Sequence, residues 1–500
     1  MHAVFVAVYA ASAVVLALHG LHVAYLSLRA LRAAPPSFPP VPDDDLPPIT
    51  VQLPLFNEAA VVERLLAAVA AFDYPRFDVQ VLDDSTDETT ALVADAVARL
   101  RAEGLAVEHL RRDTRDGFKA GALAHGLERS DAPLVAVFDA DFVPSPDLLR
   151  RLAAPLVADE RLAFAQARWT HRNAGSSGLT RVQAAALDAH FATEQHGRWA
   201  TGLVFTFNGT AGLWRRSALD AAGGWRGDTL TEDLDLSVRT YLGGGRGVFL
   251  DDVTAPADLP ADVHALRAQQ RRWARGNAEV ARLLLVPMLR SSLPGRVKVF
   301  AALHLLAPMA FVAAFGLLLA YAPAALTGGL PRWAQAVAMM GVAGAMVQHT
   351  VALRRRDGRW LLGPLRTLGV AAGMTALVPA CAVAVAEAFG PRRGVFERTA
   401  KSAARRRYRT PRPARIVALE TATLAYVAVG FGAMLVAGAW SWLPFQALLV
   451  ASLGALAVGN VRSEEKPASP VFPSQGDRTL PVLRLASPRR RTLVGDLPPS

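Results

Sequence analysis

The chain opens on an apolar run. Residues 3–28 contain no Asp, Glu, Lys or Arg and are long enough to cross a bilayer as one helix. Arg29 and Arg32 follow the run. A signal peptide carries its basic charge before the apolar stretch, so residues 1–32 are predicted to be a membrane anchor with its C-terminal end in the cytoplasm. The Pro- and Asp-rich stretch 33–49 has no apolar periodicity and reads as an extended linker.

From Thr50 the pattern alternates. "TVQLPLF", "FDVQVLDDS" and "LVAVFDADF" are short apolar, strand-like runs. "AAVVERLLAAVAAF" and "TDETTALVADAVARL" have helical spacing between them. Strands alternating with helices of this length predict an α/β, Rossmann-like domain with a mostly parallel sheet over 50–285. Ligands of such sheets bind beyond the carboxyl ends of the strands. Two acidic pairs, Asp83-Asp84 and Asp139-x-Asp141, stand at those ends.

Residues 286–460 are predicted to form a multi-pass helical membrane domain with apolar stretches at 297–327, 332–353, 361–390, 414–437 and 440–459. With the α/β domain in the cytoplasm, the first two go out and back. That leaves Arg354, Arg355, Arg356 and Arg359 inside, as the positive-inside rule asks. The loop 391–413 is also rich in Arg and is expected inside. Both flanks of 361–390 are then cytoplasmic, which predicts an interfacial or re-entrant element broken near Pro379. The Pro-, Ser- and Arg-rich tail 461–500 is expected to be disordered in the cytoplasm.

Composition agrees with a soluble domain joined to membrane spans. The chain is 52% hydrophobic with a mean hydropathy of +0.24, yet 19% charged. The net charge of +11 is placed around apolar segments, which fits an anionic membrane surface. No zinc, homeodomain or RNA-binding pattern points to nucleic acid. Cys381 is the one cysteine, so no internal disulfide forms and a thiolate metal site is excluded.

Four elements carry chemistry. Asp139 and Asp141 are alternate residues at a strand end, where two carboxylates can hold Mg2+ or Mn2+ together with the phosphates of a substrate; D-x-D alone is weak, and a solvated acidic loop has the same letters. Asp83 and Asp84 can accept hydrogen bonds from a nucleobase or ribose, or cap the next helix. Thr231-Glu232-Asp233 either places acidic groups at a helix start or supplies a general base, Asp233. Gln269, Arg272 and Trp273 share one helical face. Arg can pair with a diphosphate and Trp can stack on a sugar, while a basic helix resting on the bilayer would show the same residues.

In this order and spacing the set resembles the processive branch of glycosyltransferase family 2, with its pattern D, D-x-D, T/E-D, Q-x-x-R-W. "VQLPLFNE", "VQVLDDSTDET", "GFKAGAL", "QARW", "FNGTAGLWR", "TEDLDLSVR" and "QQRRWARG" resemble the cellulose-synthase-like A and C groups (glucomannan and xyloglucan-backbone synthases) and bacterial relatives, over roughly 50–280. The resemblance implies a glycosyltransferase-A fold. It implies inverting transfer from a UDP- or GDP-hexose (glucose or mannose) to a growing β-linked, β-1,4 by analogy, polysaccharide, with a divalent metal. Asp83 or Asp84 would meet the nucleotide, Lys119 the donor phosphates, Asp139 and Asp141 the diphosphate and metal, and Arg272 the donor. Asp233 would be the base. Gln269 and Trp273 would line the acceptor channel, with Phe207, Asn208, Gly209 and Thr210 beneath the acceptor end. "FERTAK" resembles a gating loop at Phe396, Thr399 and Lys401, with Ala400 where related enzymes have proline; a purely topological basic loop reads the same. The expected setting is multi-pass in the plasma (bacterial inner) membrane with export of the polymer. Partner subunits are not legible. The alternatives are a transferase moving one sugar to a lipid, an inactive transporter or scaffold, and a soluble nucleotide-binding module.

Overall fold

The computed structural model describes residues 1–391, 394 and 414–465. Phe396, Thr399, Lys401 and the tail beyond Glu465 lie outside the described residues.

Helix α1 spans His2–Arg32. A seven-stranded sheet follows, built from β1 (Ile49–Leu55), β2 (Phe77–Asp83), β3 (Val107–Leu110), β4 (Leu134–Val137), β5 (Leu162–His171), β6 (Gly212–Arg215) and β7 (Arg246–Ala257), in the spatial order β3-β2-β1-β4-β6-β5-β7. Every neighbouring pair is parallel except the two made by β6. The sheet is mostly parallel, as expected, and β6 makes it mixed. The antiparallel β6 matters for the site, because its N-terminal loop enters at the end where the parallel strands finish. Pro54 is tolerated in central β1 because β4 pairs only as far as Gln52. Its nitrogen faces the space beyond the end of β4, where no ladder bond is lost.

Helices α2 (Val62–Ala70), α3 (Thr89–Ala102) and α5 (Leu148–Ala158) cover one face of the sheet over a core that includes Val51, Leu65, Val93 and Leu152. Helices α4 (Phe118–Leu127), α8 (Arg216–Ala221) and α9 (Glu232–Leu242) cover the other, over Leu123, Phe164, Trp214 and Leu236. Between them lie α6 (Gly178–Ala189), a π-helical stretch His190–Gln195 and α7 (His196–Ala200).

Helix α10 (Val263–Arg290) runs past the expected boundary at 285. The stretch expected as one run, 297–327, divides into α11 (Gly295–Leu305) and α12 (Met309–Thr327). Pro308 lies in the break and cannot continue a helix from the preceding turn. Val297, Ala301 and Leu305 of α11 pack into the core of the α/β domain. Helix α13 (Arg332–Arg356) lies against α1, where a methyl on Gly344 would come within 2.2 Å of the Gly20 carbonyl oxygen. Small residues let the two backbones touch, as in membrane helix pairs. Its basic end is fixed to the sheet: Asp251 of β7 accepts from Arg355 at 2.9 Å and Arg356 at 2.5 Å.

Helices α14 (Gly363–Met374) and α15 (Val378–Glu387) are joined by a 3-10 turn at Thr375–Leu377, one residue before Val378-Pro379. Helices α16 (Ala414–Val436) and α17 (Leu443–Glu465) complete the described chain, so the first five residues of the expected disordered tail are helical. Among the described residues six helical segments are long and apolar enough to cross a membrane: His2–Arg32, Met309–Thr327, Arg332–Arg356, Trp360–Glu387, Ala414–Val436 and Trp440–Val461.

Candidate active site

Strand β4 stops at Val137, and the chain turns outward through Asp139 and Asp141. The loop before β6 lies beside this turn because Gly212 is in register with Val137. The two segments are tied directly: the Asp139 N–H donates to Thr210 Oγ1 at 2.8 Å. In that loop Gly209 has φ +78° and Ala211 φ +55°, a left-handed path that residues with a Cβ rarely take. The Gly209 carbonyl accepts from Lys119 Nζ at 2.8 Å, and the same ammonium lies 2.6 Å from Asp139 Oδ1 and 3.6 Å from Glu232 Oε1. Burial alone would lower the Lys119 pKa, but Asp139 and Glu232 outweigh it and raise it, so this lysine is a fixed cation.

Asp233 stands in the first turn of α9. Its Oδ1 accepts from the Leu234 N–H at 2.8 Å. A methyl group on Gly209 would come within 2.9 Å of its Oδ2, so the loop can approach the carboxylate only as glycine. Burial and the neighbouring Glu232 push the Asp233 carboxyl up to about 7, against the pull of Lys119, the Leu234 N–H and Arg272. A carboxylate poised near neutrality suits a general base.

One cavity collects Lys119, Asp139, Asp141, Asn208, Gly209, Asp233, Gln269, Arg272 and Trp273. Beyond Asp233 it continues into a space of about 290 Å³ walled by Trp169, Phe191, Trp273, Asn277, His304 and Met374. Asn208 is set by the π-helical stretch: Gln195 Nε2 donates to Asn208 Oδ1 at 2.6 Å and to the Thr206 carbonyl at 2.8 Å. The extra residue of a π turn re-aims side chains, and such turns gather at functional sites. Phe207 and Thr210 do structural work beneath this surface. The Phe207 ring is fully buried against Phe164, Trp214 and Trp225, and the Thr210 hydroxyl is taken by Asp139. Phe207 also lines the cavity beyond Asp233, next to Asn208.

Asp83 and Asp84 do not line that cavity. Both sit at the carboxyl end of β2, two strands away along the same sheet edge, about 10 Å at strand spacing. Burial works against the Asp83 charge, but hydrogen bonds from His109 and Ser85 hold its carboxyl down to about 2. Asp83 is therefore an anion. Asp84 is paired with Arg112.

The donor set accommodates a hard divalent cation. Asp139 and Asp141 offer only oxygen, and the Asp139 carboxylate is about one-third exposed to the cavity. Among the described residues no group of three or more His, Cys, Asp or Glu converges as a ready-made site. Two carboxylates completed by phosphate oxygens and water are how Mg2+ and Mn2+ are commonly held.

Glu232, Trp169 and Asn277 line the cavity as well, and the sequence pattern assigns none of them a role there. Glu232 was hidden by its equal fitness as a helix-start residue; Trp169 sat inside a recognised motif with no chemistry of its own to flag it.

Residues 47–276 match the family described as "Glycosyltransferase like family 2". Glucomannan 4-beta-mannosyltransferase 7 of Arabidopsis thaliana is 42% identical over 251 residues, covering 49% of this chain and 45% of that protein. Glucomannan 4-beta-mannosyltransferase 1 of Oryza sativa subsp. japonica is 39% identical over 280 residues, 53% of each. The chain spans about half the length of the curated relatives it matches. Among solved structures, a mannosyltransferase from Pyrobaculum calidifontis in complex with GDP-Man and Mn2+ shares the fold at a TM-score of 0.50 and 24% identity, covering 76% of this chain and 99% of that one.

Proposed function

We propose, from the premise that residues 47–276 belong to glycosyltransferase family 2, that the chain is a membrane-bound hexosyltransferase extending a β-linked polysaccharide, with GDP-mannose as its first donor. The observation that carries this reading is the shared cavity in which Asp139, Asp141 and Lys119 face Asp233, Arg272 and Trp273. The names of the relatives favour mannose over glucose and a 4-linked product.

The transfer is a single displacement. The terminal hydroxyl of the acceptor loses its proton to an Asp233 oxygen as its own oxygen bonds to the anomeric carbon from the face opposite the diphosphate. The anomeric carbon–phosphate oxygen bond breaks, the nucleoside diphosphate leaves, and the configuration inverts. Lys119 and Arg272 place fixed positive charge at the leaving group, where it is worth most in a water-poor cavity. A divalent ion, held by Asp139 and Asp141 when bound, would neutralise diphosphate charge. Asp83 and Asp84 are proposed to meet the nucleoside at the adjoining strand end. The Trp273 ring offers a stacking surface to the acceptor, and the cavity toward His304 and Met374 is the proposed path of the polymer into the membrane segments.

The catalytic domain is proposed to face the cytoplasm of a plasma membrane, since Arg354, Arg355 and Arg356 end α13 on the side where it meets the sheet. Helix α14 is proposed to lie along the interface: Arg366 pairs with Asp188 of α6 at 3.1 Å, and Gly373 packs on Val182, while Leu361, Leu365 and Leu368 are exposed for lipid.

The test is to offer the full chain in bilayers a panel of UDP- and GDP-sugars with Mg2+ or Mn2+, then analyse product length and linkage. Long 4-linked mannan from GDP-mannose is expected. A single-sugar glycolipid, or no transfer from any donor, would overturn the reading.

A further inference from the structure

Helix α10 presents two sets of polar side chains on different faces. Gln269, Arg272 and Trp273 line the cavity. Arg271 and Arg275, four residues apart and so on a common face, turn to the membrane segment. Arg271 Nη2 lies 3.1 Å from Glu387 Oε2, at the end of α15, and its Nη1 donates to the Ala380 carbonyl at 3.0 Å. Arg275 Nη1 lies 3.6 Å from the same Glu387 oxygen.

Arg275 also reaches back toward the site. Its Nε donates to Glu279 Oε1 at 2.9 Å, and Glu279 Oε2 accepts from the backbone N–H of Leu230 at 3.0 Å. Leu230 is followed directly by Thr231-Glu232-Asp233. Glu279 is buried, with 5% of its surface exposed, and each of its two oxygens is engaged. A buried carboxylate satisfied this way is fixed in orientation, and removing its partners leaves a costly unpaired charge. A second contact lies one helical turn earlier. A methyl group on Gly276 would come within 2.7 Å of Thr231 Cγ2 and 2.9 Å of Thr231 N, so the helix backbone bears directly on the loop that delivers Asp233.

We propose that Glu279, held by Arg275 and through it tied to Glu387 of the membrane segment, is a positioning residue for Asp233. It fastens Leu230 and Thr231 to α10, so that the base on one side of the cavity keeps its distance from Arg272 and Trp273 on the other. Glu279 does not line the cavity and touches no donor group. The proposal rests on Asp233 being the base.

The test compares kcat and donor KM of the full chain for wild type, Glu279→Ala, Glu279→Gln, Gly276→Ala and Glu387→Gln. Misplacing a reacting group by an ångström costs up to about 100-fold, so Glu279→Ala is expected to lose about 10- to 100-fold in kcat per folded enzyme with donor KM nearly unchanged. Glu279→Gln, which keeps an acceptor for the Leu230 N–H, recovers most of the rate. Gly276→Ala leaves every charge in place and reproduces the loss by pushing Thr231. If Glu279→Ala does not accumulate, Gly276→Ala and Glu387→Gln decide: unchanged kcat in both overturns the proposal. So does a Glu279→Ala variant that loses only yield or thermal stability. A wild-type chain that transfers no sugar would instead sink the functional reading, a result separable from any loss confined to the variants.

Discussion

Lys119 Nζ sits 2.6 Å from Asp139 Oδ1 and 2.8 Å from the Gly209 carbonyl, joining three segments that lie far apart in sequence: the start of α4, the turn after β4 and the loop before β6. One ammonium therefore orders the site, and in the proposed mechanism it also supplies positive charge to the diphosphate. Lys119→Met is expected to lower kcat/KM by about 100-fold, the scale found on removing one fixed stabiliser of developing charge. Steady-state transfer from GDP-mannose checks this. Lys119→Arg should not restore the rate, because a planar guanidinium cannot take the place of a compact ammonium between two oxygens.

The raised Asp233 carboxyl sets a pH dependence. A general base acts only when ionised, and this group holds its proton up to about pH 7. The rate should therefore climb with pH through that region and level off above it. The profile of kcat/KM reports the free enzyme, and its rising limb should have an apparent pKa near 7. A flat profile between pH 5 and 8 would show that another group, or none, takes the proton.

Gly209 combines a left-handed backbone with a carboxylate 2.9 Å from where a Cβ would be. Gly209→Ala is expected to displace either the loop or Asp233 and to cut kcat by about 100-fold, while donor affinity, measured by fluorescence or calorimetry, stays close to wild type.

Arg267 of α10 is paired bidentately with Glu420 of α16, both bonds at 2.8 Å, and also reaches Asn460 of α17 at 2.7 Å. Both partners of the ion pair are almost wholly buried. Glu420→Ala leaves a guanidinium buried without its counter-charge, which destabilises by about 3–5 kcal/mol. Thermal unfolding in bilayer discs should show it. The double replacement Arg267→Met with Glu420→Met should recover most of that loss, since an apolar pair of similar volume is often neutral.

The strands, the two acidic pairs and the Gln269-Arg272-Trp273 face were legible because each depends on local pattern: apolar runs that stop at carboxylates, and helical spacing. The sheet was expected to be mostly parallel, and the antiparallel β6 was not foreseen. Four residues of "GLWR" carry no sign of strand direction, which is set by the way the loop before them is pinned to Asp139. The break at Pro308 could have been read, but the apolar run on either side masked it. The motif places Phe207 and Thr210 near the acceptor, but the packing of Phe207 on Trp214 and Trp225 and the bond from the Asp139 N–H to Thr210 are tertiary contacts that no local pattern shows. Glu279 and Arg275 carry no local signal for the same reason: the partner of Glu279 is the Leu230 N–H, 49 residues upstream, and Arg275 faces Glu387 of α15.

Asp233→Asn tests the mechanism most directly. The amide keeps the shape of the side chain and removes its capacity to take a proton. Transfer from GDP-mannose should fall by about 10³-fold or more, within the range of general-base contributions, while donor affinity measured without turnover stays within a few-fold of wild type. Full activity in that variant would contradict the assignment of Asp233 as the base, and with it the convergence of Lys119, Asp139 and Asp233 on one reacting sugar.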